Sequence, residues 1–126
     1  LTLIHEALTA NEAKQVESLS AEDITRRALT GECERCYRST QVFLALLGTV
    51  ASNLALTLGA RGGVYIGGGI VPRLTPLLPS SPLRSRFEDK GRFRDYLAPI
   101  PLYVINSAYP ALLGVSAALT KHLESV

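Results

Sequence analysis

The feature that most constrains the fold is a long stretch, residues 43–60, that contains no charged side chain. With the residues that precede it, from about Cys33 or Glu34 to Leu58, it predicts one long helix that Gly59 ends. About 20 apolar residues can cross a bilayer, but a glycine turn and a strand follow this stretch at once. It is also interrupted by polar residues, namely Thr49, Ser52, Asn53 and Thr57. We therefore expect the buried helix of an α/β core, and not a membrane span.

One face of this helix is expected to lie close to a neighbouring backbone. Gly48, Ala51 and Ala55 recur at the three- and four-residue spacing that aligns positions along one helical face. Because these residues have small side chains or none, the face they share is small enough for another backbone to approach.

Shorter elements surround the long helix. The pattern of apolar residues, glycines and prolines predicts helices at residues 1–8, 21–29, 72–78, 83–87, 92–97 and 110–123, and strands at residues 63–66 and 101–105. Ser20 stands three residues before Asp23 and predicts a capping-box start for the second helix, while the polar residues 11–18 predict a loop. Two strands cannot cover a face of the long helix. We expect either a fragment of a larger α/β protein or exposed apolar surface that drives self-association.

Composition limits the class of protein. The 126 residues suffice for one domain or a large piece of one, and a content of 47% hydrophobic and 19% charged residues is typical of a globular protein. The net charge of +2 requires no acidic partner such as nucleic acid or a lipid headgroup. The chain starts without a basic leader and contains no methionine, so we expect an excerpt of a longer protein.

The most informative local pattern is a strand, a glycine triplet and a helix. Gly67, Gly68 and Gly69 follow the strand, and Ile70 to Arg73 lead into the helix. Glycine lets a nucleotide approach the backbone closely and permits the positive φ of a sharp turn, and the next helix directs N–H groups toward that turn. The pattern matches neither the dinucleotide fingerprint nor the P-loop. From spacing alone, a nucleotide site and a tight packing turn without a ligand stay equally open.

Several unusual strings stand in the chain between about Ala21 and Leu123. They are Leu-Gly-Thr at 47–49, Asn-Leu-Ala-Leu at 53–56, Gly59, Gly-Gly-Val-Tyr-Ile-Gly-Gly-Gly-Ile-Val-Pro-Arg at 62–73, Phe-Glu-Asp-Lys-Gly-Arg-Phe at 87–93 and Pro-Ala-Leu-Leu-Gly at 110–114. In order and spacing these strings resemble the proteobacterial glucokinases. The glycine triplet alone would also fit the broader sugar-kinase and actin-like superfamily.

The resemblance implies an α/β fold, the C-terminal portion of an actin-like, ribonuclease-H-like ATPase domain, with few strands and mostly helices in this piece. Residues 1–126 would form the C-terminal nucleotide-binding portion of the large domain. The implied activity is transfer of phosphate from ATP to the 6-hydroxyl of glucose, the first step of glycolysis. In that fold a glycine turn cradles the adenosine side of ATP, so the implied nucleotide-binding residues are Gly67, Gly68, Gly69, Ile70 and Arg73.

Other motifs of the family are absent from this chain. It contains no Asp-x-Gly-Gly-Thr phosphate-binding string, no Asn-Asp pair that carries the general base, and no Glu-x-Gly-His sugar-binding string. Phosphoryl transfer needs positioning, metal and charge stabilisation together, so we expect no catalytic and no metal-binding residue here, and no activity from this chain alone. The complete protein would be a cytoplasmic homodimer that uses ATP, Mg²⁺ and glucose, without a membrane or nucleic-acid partner.

Two other functions stay open. The chain could be the kinase-like part of a glucokinase fused to a transcriptional regulator, which predicts more chain beyond Val126. It could also be a non-catalytic lobe that senses nucleotide, which predicts a natural terminus near Leu1.

Two further patterns have simpler explanations. Cys33 and Cys36 have the spacing of half a zinc site, but no second pair completes it. A redox pair at a helix start is the other functional option, and we expect two ordinary cytosolic thiols. A basic stretch interleaved with Phe87 and Phe93 could bind single strands, but nearby acids favour a solvated, salt-bridged surface. Its basic residues are Arg84, Arg86, Lys90, Arg92 and Arg94.

Overall fold

The structure, a computed structural model, describes residues 1–10 and 18–125. The helices in these ranges are α1 Thr2–Ala10, α2 Ala21–Thr30, α3 Glu34–Leu58, α4 Leu83–Glu88, α5 Arg94–Leu97 and α6 Pro110–Glu124. The strands are β1 Val64–Ile66 and β2 Leu102–Val104, and 3₁₀ helices cover Val71–Ser80 and Gly91–Phe93. The helices and strands predicted from the sequence are thus confirmed in position. The loop predicted at 11–18 lies almost wholly outside the described residues.

The two strands form a small parallel sheet. Val64 stands opposite Leu102, and Ile66 stands opposite Val104. Parallel strands need a long crossover connection, which here consists of both 3₁₀ helices, α4 and α5. Because both strands run in the same direction, their carboxyl ends lie at one edge of the sheet, and the glycine triplet begins at that edge.

The core lies between α3 and this crossover. One buried cluster consists of Leu44, Ile66, Val71, Leu74 and Leu83. A second cluster consists of Ala51, Ala55, Phe87, Leu97 and Ile100. Each cluster includes residues of α3 and residues that follow β1, so burial of apolar surface fixes the sheet and the crossover against one side of the long helix.

The small face of α3 is confirmed as a site of close backbone approach. Gly48 is buried, and a Cβ atom built there would overlap the carbonyl oxygen of Leu83 at the start of α4. Ala51 and Ala55, one and two turns further along α3, are also buried. The absence of a side chain at Gly48 therefore sets how closely α3 and α4 pack.

The start of α2 has the serine N-cap of the predicted capping box, but the Asp23 carboxylate accepts from the Ser20 hydroxyl in place of its backbone N–H. The backbone N–H of Asp23 donates to Ser20 Oγ at 3.1 Å, and the Ser20 hydroxyl donates to Asp23 Oδ2 at 2.6 Å. Gly31, with φ of +74°, ends the helix in the left-handed region. The apolar face of α2 joins the first turn of α3 through a third cluster, which consists of Leu19, Ile24, Ala28 and Cys36.

The segment after the glycine turn is a 3₁₀ helix and not a regular α-helix. It runs over ten residues, Val71–Ser80, and includes Pro72, Pro76 and Pro79. Proline has no N–H to donate and its ring clashes with the carbonyl four residues earlier. The predicted helix is therefore present, but the α-type hydrogen bonding is replaced by the tighter turn.

The helix expected in the α/β core is buried on one side only. Eight of its 25 residues are buried. Apolar residues at every fourth position are 38–74% exposed and form a row that winds around the helix, because four residues exceed one turn by about 40°. We call this row the α3 stripe: Val42, Leu46, Val50, Leu54 and Leu58. By length and composition α3 could also cross a membrane, with a mean hydropathy of 1.7 over its most apolar window, of which 28% is buried.

The opposite face of α3 is typical of a helix in a protein core. It packs against α1, α2 and α4 and buries the hydroxyl-bearing residues Ser39, Thr40 and Ser52. These hydroxyls donate to carbonyls of the preceding helical turn at 2.7–2.8 Å, so burial leaves them hydrogen-bonded. Packing within the chain accounts for this side of the helix.

Helix α6 is exposed along its whole described length. Every residue from Asn106 to Ser125 is exposed, including five large apolar residues of the helix, which are Leu112, Leu113, Val115, Leu119 and Leu123. The outer face of the sheet is also uncovered, and Tyr65 and Tyr103 stack on it with ring centres 4.9 Å apart. Apolar surface is thus open on several sides of the described residues, as two strands alone would predict.

Candidate nucleotide-binding site

The glycine triplet lies at the carboxyl edge of the sheet and faces solvent. Gly67, Gly68 and Gly69 are all exposed and follow directly after Ile66, the last residue of β1. In open α/β sheets, ligands bind outside the carboxyl ends of the strands. The triplet therefore stands where a ligand can reach its backbone.

The three glycines stand under different constraints. Gly68 has a φ of +110°, in the region that side chains rarely adopt, whereas Gly67 and Gly69 have no positive φ. A Cβ atom at Gly67 would contact Ile105 at 3.4 Å, an ordinary distance, and one at Gly69 would have no heavy atom within 4 Å. A tight turn therefore explains the glycine at 68, but the fold does not require one at 69.

Ile70 and Arg73 point in different directions from the turn. Ile70 is the N-cap residue before the 3₁₀ helix and packs its side chain against the core cluster around Leu44. It can offer a ligand only its backbone. Arg73 has a half-exposed side chain, and its guanidinium lies 3.4 Å from Oε1 of Glu22 in α2. The turn and α2 are thereby connected across the surface.

A groove of about 440 Å³ lies beside this ion pair. It is lined by Glu22, Thr25, Arg26, Leu29, Thr30 and Arg73. Its size is in the range of small-molecule sites, about 300–1,000 Å³. Leu29 gives it an apolar surface on which a flat base could lie, and the Glu22 carboxylate can accept hydrogen bonds from hydroxyl groups. The groove is chemically suited to a nucleoside.

The α2 side of the groove could not be found from the sequence. Glu22, Thr25 and Leu29 precede the glycine triplet by a long stretch of chain, and no spacing relates them to it. Only the packing of α2 against the 3₁₀ helix brings them beside Arg73.

At the start of α2, the hydrogen bond from Ser20 lowers the pKa of Asp23 below its ordinary value, and the charge of Arg26 acts in the same direction.

The basic stretch is largely paired within the chain. Arg84 contacts Glu88 and donates to the carbonyl of Ile100, while Arg86 lies 3.4 Å from Asp89. The Lys90 ammonium donates to Asn53 Oδ1 at 2.6 Å. The predicted salt-bridged surface is confirmed.

Metal-ligand clusters are not found in the part of the chain that the structure describes. In residues 1–10 and 18–125, no three His, Cys, Asp or Glu side chains converge on one point. Cys33 and Cys36 are both thiols. Within these ranges the half zinc site is therefore not completed.

Comparison with known proteins identifies the family over nearly the whole chain. A family model described as glucokinase matches residues 1–122. The chain belongs to the glucokinase family. It is 56% identical over 123 residues to a glucokinase of Chromobacterium violaceum and 52% identical over 126 residues to one of Neisseria meningitidis. These alignments cover 98% and 100% of this chain but 35% and 38% of the relatives.

A solved glucokinase structure supports the fold class. The crystal structure of a glucokinase from an Antarctic psychrotroph superposes with a TM-score of 0.82 at 35% sequence identity, over 95% of this chain and 37% of that one. The predicted fold, a mostly helical part of the glucokinase α/β fold with few strands, is confirmed. The chain thus spans little more than a third of the length of the glucokinases it matches.

Proposed function

We propose that residues 1–126 are the C-terminal nucleotide-binding portion of a glucokinase large domain, and that they supply the adenosine side of its ATP site. The complete enzyme would transfer the terminal phosphoryl group of ATP to the 6-hydroxyl of glucose. The observation that carries this proposal is Gly69, an exposed glycine at the carboxyl edge of the sheet with ordinary φ and empty surroundings. A ligand that approaches the backbone accounts for a glycine that the fold does not need.

Each residue of the site has a distinct role in this proposal. Gly67, Gly68 and Gly69 would let the ribose and phosphates approach the backbone, and Ile70 would add only its main chain. Arg73 and Glu22 would form the rim of the groove, with the guanidinium near the phosphate side and the carboxylate within reach of hydroxyl groups. The base would lie against Leu29. The chain therefore binds and orients the nucleotide and performs no proton transfer.

The remaining chemistry would come from outside these residues. Mg²⁺, when bound with ATP, neutralises charge on the phosphates. The described residues offer no cluster of ligands for it, so it would be held by the phosphates and by other parts of the complete protein. We expect the general base and the glucose-binding groups there too, and hence no glucose phosphorylation by this chain alone.

We also propose the cellular context that the family resemblance implies. The complete protein would act in the cytoplasm as a homodimer, with ATP and glucose as its substrates and no membrane or nucleic-acid partner. The matched relatives bear the name glucokinase, which gives no support to a fused regulator or to a non-catalytic lobe.

The direct test uses NMR to measure nucleotide binding to the purified chain. Addition of MgATP should shift the backbone signals of Gly67 to Arg73 and of α2, and glucose should shift none of them. Gly69→Val places a branched side chain where the nucleotide approaches. We expect it to weaken ATP binding at least about tenfold, or about 1.4 kcal/mol.

The chain offers a matched control at the opposite edge of the sheet. Gly62 precedes β1, has no positive φ, and a Cβ there would also meet no heavy atom within 4 Å. Gly62→Val should leave ATP affinity unchanged, and both variants should melt within about 2 °C of the parent. A Gly69→Val chain with lowered melting temperature and unchanged ATP affinity would identify the triplet as a packing turn.

A further inference from the structure

We propose that Cys33 and Cys36 form a redox-active dithiol that exchanges with low-molecular-weight disulfides and closes into an intramolecular disulfide at the start of α3. Cys33 is the N-cap residue of α3, and Cys36 lies in its first turn. Both are thiols in the structure. Neither cysteine takes part in the nucleotide site, although the cavity beside Cys33 shares Leu29 and Thr30 with the nucleotide groove. The proposal does not rest on the proposed function.

The geometry at the helix start allows the bond to form. The Cys33 sulfur accepts a hydrogen bond from the backbone N–H of Cys36 at 3.2 Å. Disulfides join residues whose Cα atoms are about 4.4–6.8 Å apart and whose Cβ atoms are about 3.5–4.5 Å apart, and this hydrogen bond already holds the Cys33 sulfur against the turn that carries Cys36. Cys33 has extended backbone, with φ of −141°, so its side chain can turn toward Cys36 without breaking the helix.

The two sulfurs differ in their access to solvent. Cys33 is partly exposed, whereas Cys36 is fully buried beside Ile24 and Ala28. An external reagent can therefore reach Cys33 first, and Cys36 can react only with a partner already held at Cys33. This division between an accessible and a buried thiol fits an attacking and a resolving cysteine.

A cavity beside Cys33 provides room for the reagent. It has a volume of about 350 Å³ and is lined by Ala28, Leu29, Thr30, Gly31, Cys33, Glu34 and Tyr37. A volume of this size has room for a small disulfide next to Cys33. Metal binding does not compete as an explanation within the described residues, because no third ligating side chain joins the pair.

The exchange proceeds in two steps. Cys33 loses its proton, and its sulfur attacks one sulfur of the external disulfide, which forms a mixed disulfide and releases one thiol that takes up the proton. Cys36 then loses its proton and attacks the Cys33 sulfur, which forms the Cys33–Cys36 bond and releases the second thiol. Two protein thiols are oxidised, and one external disulfide is reduced to two thiols.

The test follows the products by intact-mass spectrometry after acid quenching and alkylation. The reduced chain is incubated in its native state with bis(2-hydroxyethyl) disulfide. We expect a product that has lost two hydrogens, takes up no alkylating agent, and regains both thiols on reduction. A native chain that stays reduced, or one that accumulates the mixed disulfide, would overturn the proposal.

Two variants separate the steps. Cys36→Ala removes the resolving thiol, so the mixed disulfide at Cys33 should persist. In the unsubstituted chain the mixed disulfide should reach less than about a tenth of its level in Cys36→Ala, because the second attack is intramolecular and removes it. Cys33→Ser should leave Cys36 unreacted in the native chain, yet reactive in denaturant. Equal reaction of native Cys33→Ser and the parent would contradict the assigned order.

Discussion

Single glycines in this molecule have different physical reasons to be glycine. Gly48 has no room for a side chain because the backbone of Leu83 lies against it, and Gly68 has a positive φ. Gly69 has neither constraint. Substitutions at single glycines can therefore separate stability from ligand binding. A side chain at Gly48 should change stability, whereas one at Gly69 should change ligand binding.

Gly48→Ala should destabilise the chain. The added methyl group overlaps the Leu83 carbonyl, so α3 and α4 must move apart, and overpacking of this kind costs about 1–3 kcal/mol. Thermal or urea unfolding measures the loss. Gly114→Ala is the matched control, because Gly114 lies in α6 with no heavy atom within 4 Å of its Cβ position. Equal unfolding midpoints for Gly48→Ala and the parent would show that this contact is looser than the structure indicates.

At the scale of elements, the sequence predicted where helices end, but it did not predict that the segment after the glycine turn is a 3₁₀ helix. Ser20, Asp23 and Gly31 fix the bounds of α2 through local hydrogen bonds and backbone conformation, which are properties of nearby residues. The Val71–Ser80 segment has apolar spacing that fits a helix, but the effect of its prolines on the hydrogen bonds depends on the final backbone path. Local chemistry predicts the ends of an element better than its internal geometry.

The Ser20–Asp23 pair gives α2 a pH-dependent stability. The Ser20 hydroxyl holds the pKa of Asp23 below its ordinary value of 3.8, so the stabilisation is present above the unfolded pKa and is lost as pH falls through the folded one. Ser20→Ala should lower the melting temperature at pH 7, and the difference from the parent should shrink below about pH 4.

A serine elsewhere provides the control for this pH series. The Ser85 hydroxyl donates to the carbonyl of Pro82 and contacts no carboxylate in the hydrogen bonds described. Ser85→Ala should therefore show a difference in melting temperature that does not change with pH. A Ser20→Ala difference that is equally constant would contradict the Asp23 assignment.

Helix α6 should be the least stable helix of the isolated chain. None of its residues is buried, and a helix of about 15 residues without packing is marginal in water. Hydrogen exchange should therefore be fast at the amides of α6 and slow between Leu44 and Ala55 of α3, which lie in the core. Protection of α6 equal to that of α3 would mean that the helix docks on a surface in solution.

At the scale of the whole molecule, the sequence predicted uncovered apolar surface but not its location. Counting two strands against one long apolar helix was enough to show that the chain could not cover itself. Because α3 is apolar nearly all round, its sequence could not show which face would pack against α4 and which would stay open. The groove beside the Arg73–Glu22 ion pair could not be predicted from the sequence either, since it depends on contacts between distant segments.

The isolated chain should associate with itself through the α3 stripe. Its five apolar residues lie at every fourth position over residues 42–58, roughly 24 Å at 1.5 Å per residue, and the middle three, Leu46, Val50 and Leu54, share one side of the helix. This face is held rigid by the core on its other side, so pairing two copies buries apolar surface at a small cost in conformational freedom. Light scattering at increasing concentration should show dimers or larger species. Leu46→Lys combined with Leu54→Lys should restore the monomer, whereas Leu112→Lys with Leu119→Lys on α6 should not. A parent chain that stays monomeric at high concentration, or one made monomeric only by the α6 pair, would rule out the stripe as the contact.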